Sequence, residues 1–276
     1  MTTIIEFGSR RHESYDFYSD KDAYILFSPN DNFVKEKKEL ERQGYSVTTS
    51  SIRRAKYLSA GGNLFVKHVF FEGAAISGTE EEITNIKNLW RPARSYDHEI
   101  EENVEMLGLL EVIPSTKESM ATVNDIIICS LRNILIRKLA NKGIFVFSWK
   151  DVISLSVKHN FINEIDAKVM FQARRYKNVY RFGFFPKLNE IFIQNLELIS
   201  KKVIDKKRRF RFGSHKQILA SPETVEEGSY SQLRAIELLC SHYHFHESMK
   251  KYSALVKDPA YFSALCSNRA LERTSR

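Results

Sequence analysis

Two short apolar runs near the start of the chain, Thr3-Ile4-Ile5-Glu6-Phe7 and Ala23-Tyr24-Ile25-Leu26-Phe27, are rich in β-branched and aromatic residues and bounded by Gly, Ser and Asp. Such side chains fit a pleated, half-buried surface, so both runs are predicted core strands. The residues between them constrain the chain further. The first run ends in Gly8-Ser9, and the second is preceded by Ser19-Asp20-Lys21-Asp22. Carboxylates at i and i+2 of a strand project to one face, so Asp20 and Asp22 can share divalent cations. A Gly-Ser turn lets backbone approach a phosphate closely and offers it N–H and hydroxyl donors. Lys21, Ala23, Ile25 and Phe27 face the other side, where a core is expected.

Strand and helix then alternate. Asn32 to Gln43 is rich in Lys and Glu and closed by Gly44, a helix with a glycine stop, and Tyr45 to Thr49 reads as the next strand. A small-residue turn, Ser59 to Gly62, leads into the apolar stretch Leu64 to Ile76. Pro92 and Pro114 bracket an acidic helical stretch, beyond which the apolar period becomes helical. Met120, Val123, Ile127, Leu131, Ile134, Leu135 and Leu139 fall on one face of a long helix over 117–141. Ser148 and Asp151 form a capping box for a helix to about Asn160, with further helices at 163–181, 186–203, 229–250 and 258–271. The prediction is an α+β protein: a small mixed-sheet core over 1–92, a connecting acidic helix over 93–116 and an all-helical domain over 117–276.

The stretch from Ile4 to Phe27 resembles the active-site motif of the polymerase-β nucleotidyltransferase superfamily, hG[GS] followed by [DE]x[DE]. The resemblance is greatest to small members carrying GSRARG…SDID. Asp20 lies 12 residues after Gly8 and is preceded by Ser19, as in that pattern, while His12-Glu13 stands where those members have Arg-Gly. The resemblance implies a nucleotidyltransferase core over residues 3–78. It implies that Asp20 and Asp22 hold Mg²⁺ or Mn²⁺, and that Gly8, Ser9 and Ser19 bind the phosphates of an NTP. The implied reaction transfers a nucleoside monophosphate to a hydroxyl as pyrophosphate leaves. An RNA 3′ end is favoured as acceptor over a protein side chain or a small molecule. The helices over 117–200 are broadly similar to the bundles that follow such cores, including HEPN-like ones.

The family supplies a third carboxylate from a later strand. On Tyr45 to Thr49 that position falls on Ser46 or Thr48, and neither replaces an acid. Glu72 is the nearest alternative metal ligand, though such a glutamate is more often an ordinary helix-end or strand-end residue. The missing acid sustains a second reading, a catalytically degenerate nucleotide- or RNA-binding module. Such a module would suit one half of a toxin–antitoxin or phage-defence pair, with a partner protein.

Charge supports a polyanionic partner. The chain carries a formal charge of +8 and 43% hydrophobic residues, enough to build one large or two modest cores. Arg174, Lys177 and Arg181 lie at i, i+3, i+7 of one helix, where they would grip a triphosphate or form a solvated basic face. Arg208, Arg209 and Arg211 interleave with Phe210 and Phe212, a composition suited to RNA or to a basic loop whose phenylalanines pack inward. His242, His244 and His246 would align as metal ligands on a strand, but their surroundings favour a helix that scatters them. Three cysteines fit neither a disulfide framework nor a zinc pattern, and no run of consecutive apolar residues is membrane-length. A cytoplasmic location without membrane contact is expected.

Overall fold

The computed structural model describes residues 2–8, 21–108, 110, 112–114, 117–181, 186–204, 211–213, 234 and 238. Over these the chain is mixed α and β. The elements begin with β1 (Thr3–Phe7), β2 (Lys21–Phe27), α1 (Val34–Arg42), β3 (Tyr45–Ser51), α2 (Ile52–Ala60) and α3 (Leu64–Lys67). A π-helical turn (His68–Glu72), β4 (Ala74–Ser77) and α4 (Glu80–Leu89) follow. Then come α5 (Asp97–Gly108), β5 (Val112–Pro114), α6 (Lys117–Ala140), α7 (Trp149–Lys158), α8 (Glu164–Arg181), α9 (Glu190–Ile204) and β6 (Arg211–Gly213).

The chain divides into two compact units, residues 1–96 with 138–153, and residues 97–137 with 154–276. The sequence boundaries at 92 and 117 run in order along the chain. In this division 138–153 returns to the first unit, and α5 belongs to the second.

The first unit is built on a four-stranded mixed sheet of order β3-β2-β1-β4. β1 pairs antiparallel with β2 and β4, and α1 returns the chain so that β3 runs parallel to β2. Gly44, at φ +83, turns the chain between α1 and β3, a conformation glycine adopts without steric cost. Both faces of the sheet are covered. Ala23 and Ile25 pack with Leu40, Phe33 and Val47 on the α1 side, as the strand alternation predicts. The larger core lies on the opposite face, where Ile5, Phe7, Tyr24 and Leu26 meet Ala55, Val66, Val69, Phe70, Ile83 and Ile86. Asp22 shares that face, so the expected assignment of core to the Lys21 side holds for only part of the packing. The reason is that α2, α3, the π-helical turn and α4 all follow β3 and stack on the Asp22 side.

In the second unit α6 is the central helix. Its segment Ser119–Ala140 has a mean hydropathy of 1.3, and 83% of its most apolar window is buried inside the fold. Sequence reading found no membrane-length apolar run because Ser119, Thr122, Asn124 and Asp125 interrupt this one, and all four are buried. They find partners across the bundle: the Thr122 and Tyr180 hydroxyls are 2.7 Å apart, and Asn124 Nδ2 donates to the Ala173 carbonyl at 3.0 Å. α8 opens on a reciprocal cap, with Asp166 N–H donating to Asn163 Oδ1 at 2.8 Å and Asn163 N–H to Asp166 Oδ2 at 3.1 Å. The same Asp166 carboxylate receives Lys202 of α9 at 2.8 and 2.9 Å.

Candidate functional site

β1, β2 and β3 present one end of the sheet at which Phe7, Asp22 and Ser46 meet. Phe7 pairs with Asp22 across β1 and β2, and Asp22 pairs with Ser46 across β2 and β3. Paired residues on neighbouring strands share a face, so Phe7, Asp22 and Ser46 lie side by side. Gly8 follows at φ +88, and a Cβ built there would fall 2.5 Å from Asp22 Oδ2. The left-handed φ favours glycine at this corner, and backbone there runs directly against the Asp22 carboxylate, which lies at the far end of its side chain.

Ser46 and Thr48 occupy the positions where the resemblance implies a third carboxylate, and both are exposed on the Asp22 face. One residue pair further along, burial pushes the Tyr24 phenol up, with the Ser50 hydroxyl and Arg54 opposing, so the ring adds no charge beside Asp22.

Glu72 ends the π-helical turn two residues before β4. Its Oε2 lies 2.8 Å from His68 Nδ1 across one turn. A carboxylate only accepts, so Nδ1 is the donor. His68 in turn sets its ring at 85° against Phe7, with centroids 5.6 Å apart, and packs 4.8 Å from the Phe147 ring. Gly73 fixes this segment on β1, since a Cβ there would meet Ile5 Cγ2 at 2.6 Å and the Glu6 carbonyl at 3.0 Å. Glu72 is thus engaged through Oε2 by His68, whose ring packs on Phe7. The spacing His-x-x-x-Glu on a helical stretch was the available sequence signal for this pair, and sequence reading missed it. It also missed Lys67, whose ammonium lies 3.8 Å from the Phe71 ring centroid and 4.0 Å from that of Trp90. Burial lowers the pKa of Lys67, and the Glu72 charge opposes the shift.

No protein-family model, curated protein or solved structure matches this chain. Among the described residues no group of three or more His, Cys, Asp or Glu is gathered to hold a metal ion. Ser9, Ser19 and Asp20 lie outside the described residues, as do Arg208, Arg209 and the three histidines at 242, 244 and 246.

The basic face of α8 has an internal partner. Arg181 donates through Nε to Asp125 Oδ1 at 3.0 Å and through Nη2 to Oδ2 at 3.2 Å. Arg234 Nη2 donates to the same Oδ2 at 2.6 Å. Burial alone would raise the Asp125 carboxyl, but Arg181, Arg234 and Lys177 outweigh it and hold the group well below the usual carboxylate range. Arg181 thus reaches α6 while its side chain stays 38% exposed, and Lys177 and Arg174, on the preceding turns, are half-buried. The signal for Asp125 was an acid set among Ile126, Ile127 and Ile128, a position that burial forces to find a cation. Arg211 lies in β6, paired in parallel with Val112 of β5. A shallow cavity of about 320 Å³ opens near Thr2, Ile4, Asp31, Glu36 and Ser77, at the opposite end of β1 from Gly8. Its acids make it a poor receptor for phosphate.

Proposed function

We propose that this chain is a metal-dependent nucleotidyltransferase that moves a nucleoside monophosphate from an NTP to an acceptor hydroxyl. The observation that carries the reading is the Gly8–Asp22 corner: backbone in left-handed conformation pressed against the carboxylate that opens β2. A phosphate-binding turn and a metal-binding acid need this close approach, and the left-handed φ at position 8 favours glycine there. Asp22 is half-buried and paired in register with Ser46 of β3, two oxygen-bearing residues of the kind a hard cation takes. Asp20 and Asp22 would hold Mg²⁺ or Mn²⁺. When bound, the ions would neutralise charge on the leaving pyrophosphate and polarise the α-phosphate. Gly8 and Ser9, with Ser19, orient the β and γ phosphates through backbone and hydroxyl donors. The net charge of +8 favours RNA as the acceptor.

A second reading, a nucleotide- or RNA-binding module without catalysis, is favoured by one observation. Strand β3 carries no acid, only Ser46, Thr48 and Ser50 on the Asp22 face. One experiment separates the two. The protein is incubated with each α-labelled NTP, Mg²⁺ or Mn²⁺ and a mixture of cellular RNA and protein, beside the Asp20→Ala, Asp22→Ala double variant. Label moving to one acceptor class in the wild type alone supports transfer. Metal-dependent NTP binding without label transfer, lost in the double variant, supports the binding module. Transfer retained by the double variant removes the site assignment.

A further inference from the structure

Position 65 combines two properties that rarely coexist in a core. Its phenyl ring packs edge-on against Phe7, with centroids 5.6 Å apart at 83°, and lies tilted at 57° to Tyr24 with centroids 6.0 Å apart. Phe7 and Tyr24 are 6% and 2% exposed, yet Phe65 is 41% exposed. Its neighbours explain why it points outward. Leu64 and Val66 are buried, and the Asn63 side chain accepts the Val66 N–H at 3.0 Å, so the short helix α3 is fixed with Phe65 on its open side.

The location matters as much as the exposure. Phe7 is the cross-strand partner of Asp22, and Tyr24 is the next residue of β2 on the same face. Cross-strand neighbours have Cβ atoms about 5 Å apart, so a partly exposed aromatic ring stands one packed residue, Phe7, from the Gly8–Asp22 corner. An aromatic ring left open there loses apolar burial for no gain in the sheet, whereas a nucleobase stacked on it restores that burial.

We infer that Phe65 is the base platform of the nucleotide site, receiving the nucleobase of the NTP whose phosphates lie at Gly8 and Asp22. The inference rests on the nucleotide reading above and adds where the base sits. Stacking uses the π face that every base has, so Phe65 contributes affinity while leaving the base edges unread. Inorganic tripolyphosphate shares the phosphates but has no base to stack.

The test uses the full chain with Mg²⁺ and two probes, inorganic tripolyphosphate and an ATP analogue with a methylene α–β bridge, measured by titration calorimetry. Phe65→Ala is expected to weaken analogue binding about tenfold or more while changing tripolyphosphate binding less than about twofold. Phe65→Trp is expected to retain the analogue and to show quenching by it that wild-type tryptophans do not, with none on adding tripolyphosphate. Asp22→Asn should lose both probes. Phe65→Ala that binds the analogue as wild type does, or loses both probes equally, overturns the platform while leaving the nucleotide site standing. If Phe65→Ala fails to fold, Phe65→Trp decides, and absence of analogue-specific quenching overturns the proposal. Wild type that binds neither probe overturns the nucleotide reading and the platform with it.

Discussion

Arg181 holds Asp125 through two parallel hydrogen bonds, Nε to Oδ1 at 3.0 Å and Nη2 to Oδ2 at 3.2 Å, joining α8 to the centre of α6. The Asp125 side chain is 1% exposed, and Arg234, 4% exposed, completes the pairing. Asp125→Ala leaves a buried guanidinium uncompensated. A loss of about 3–5 kcal/mol of stability is expected, read as a lower urea midpoint. Replacing Asp125 together with Arg181 and Arg234 by apolar residues should cost less than the single substitution, because no lone charge remains.

The same carboxylate sets an acid limit. Its folded pKa is depressed, so its contribution is fully present above the ordinary unfolded value of about 4. It is lost progressively as pH falls below that value toward the native one. Wild type should therefore lose stability below about pH 4 more steeply than Asp125→Asn, as thermal melts across that range would show.

Gly8→Ala places a methyl group against Asp22 Oδ2 and holds alanine at φ +88. The strain should cost about 1–3 kcal/mol in a thermal or urea transition. If the turn binds phosphate, metal-dependent NTP affinity should fall by more than that stability change accounts for, as calorimetry would report.

Ser46→Asp installs a carboxylate beside Asp22 at an exposed position, so the fold should tolerate it. It is expected to tighten Mn²⁺ binding and to raise any label transfer, since a third acid adds both a ligand and a proton acceptor. Electron paramagnetic titration of Mn²⁺ and the α-labelled NTP assay measure the two effects.

If the 208–211 segment contacts single-stranded RNA, replacing Arg208, Arg209 and Arg211 by Ala should reduce the slope of log affinity against log salt by about 2. Binding isotherms over a salt series check this, and an unchanged slope assigns the RNA contact elsewhere.

Local chemistry made the element order legible. β-branched runs gave β1 and most of β2, the Lys/Glu-rich run ending at Gly44 gave α1, and the apolar period gave α6 nearly to the residue. Ser148 caps α7 as read, accepting the Asp151 N–H at 3.2 Å, because a cap depends only on residues three apart. β5 was hidden because Val112-Ile113-Pro114 looks like the end of an acidic helix until β6 pairs with it.

The sequence by itself determined which residue types meet at the chain's candidate chemistry: a glycine turn, an acid opening a strand, and no acid on β3. Tertiary structure alone decided that Phe7, Asp22 and Ser46 stand in one row, since register is set by which faces several strands bury together. It also decided that Phe65 is open beside them, and that Asp125 answers Arg181 and Arg234, 56 and 109 residues away. The physical reason is range. Caps, turns and periodicity act between near neighbours in the chain, whereas burial and charge pairing act between residues that only the folded core brings together.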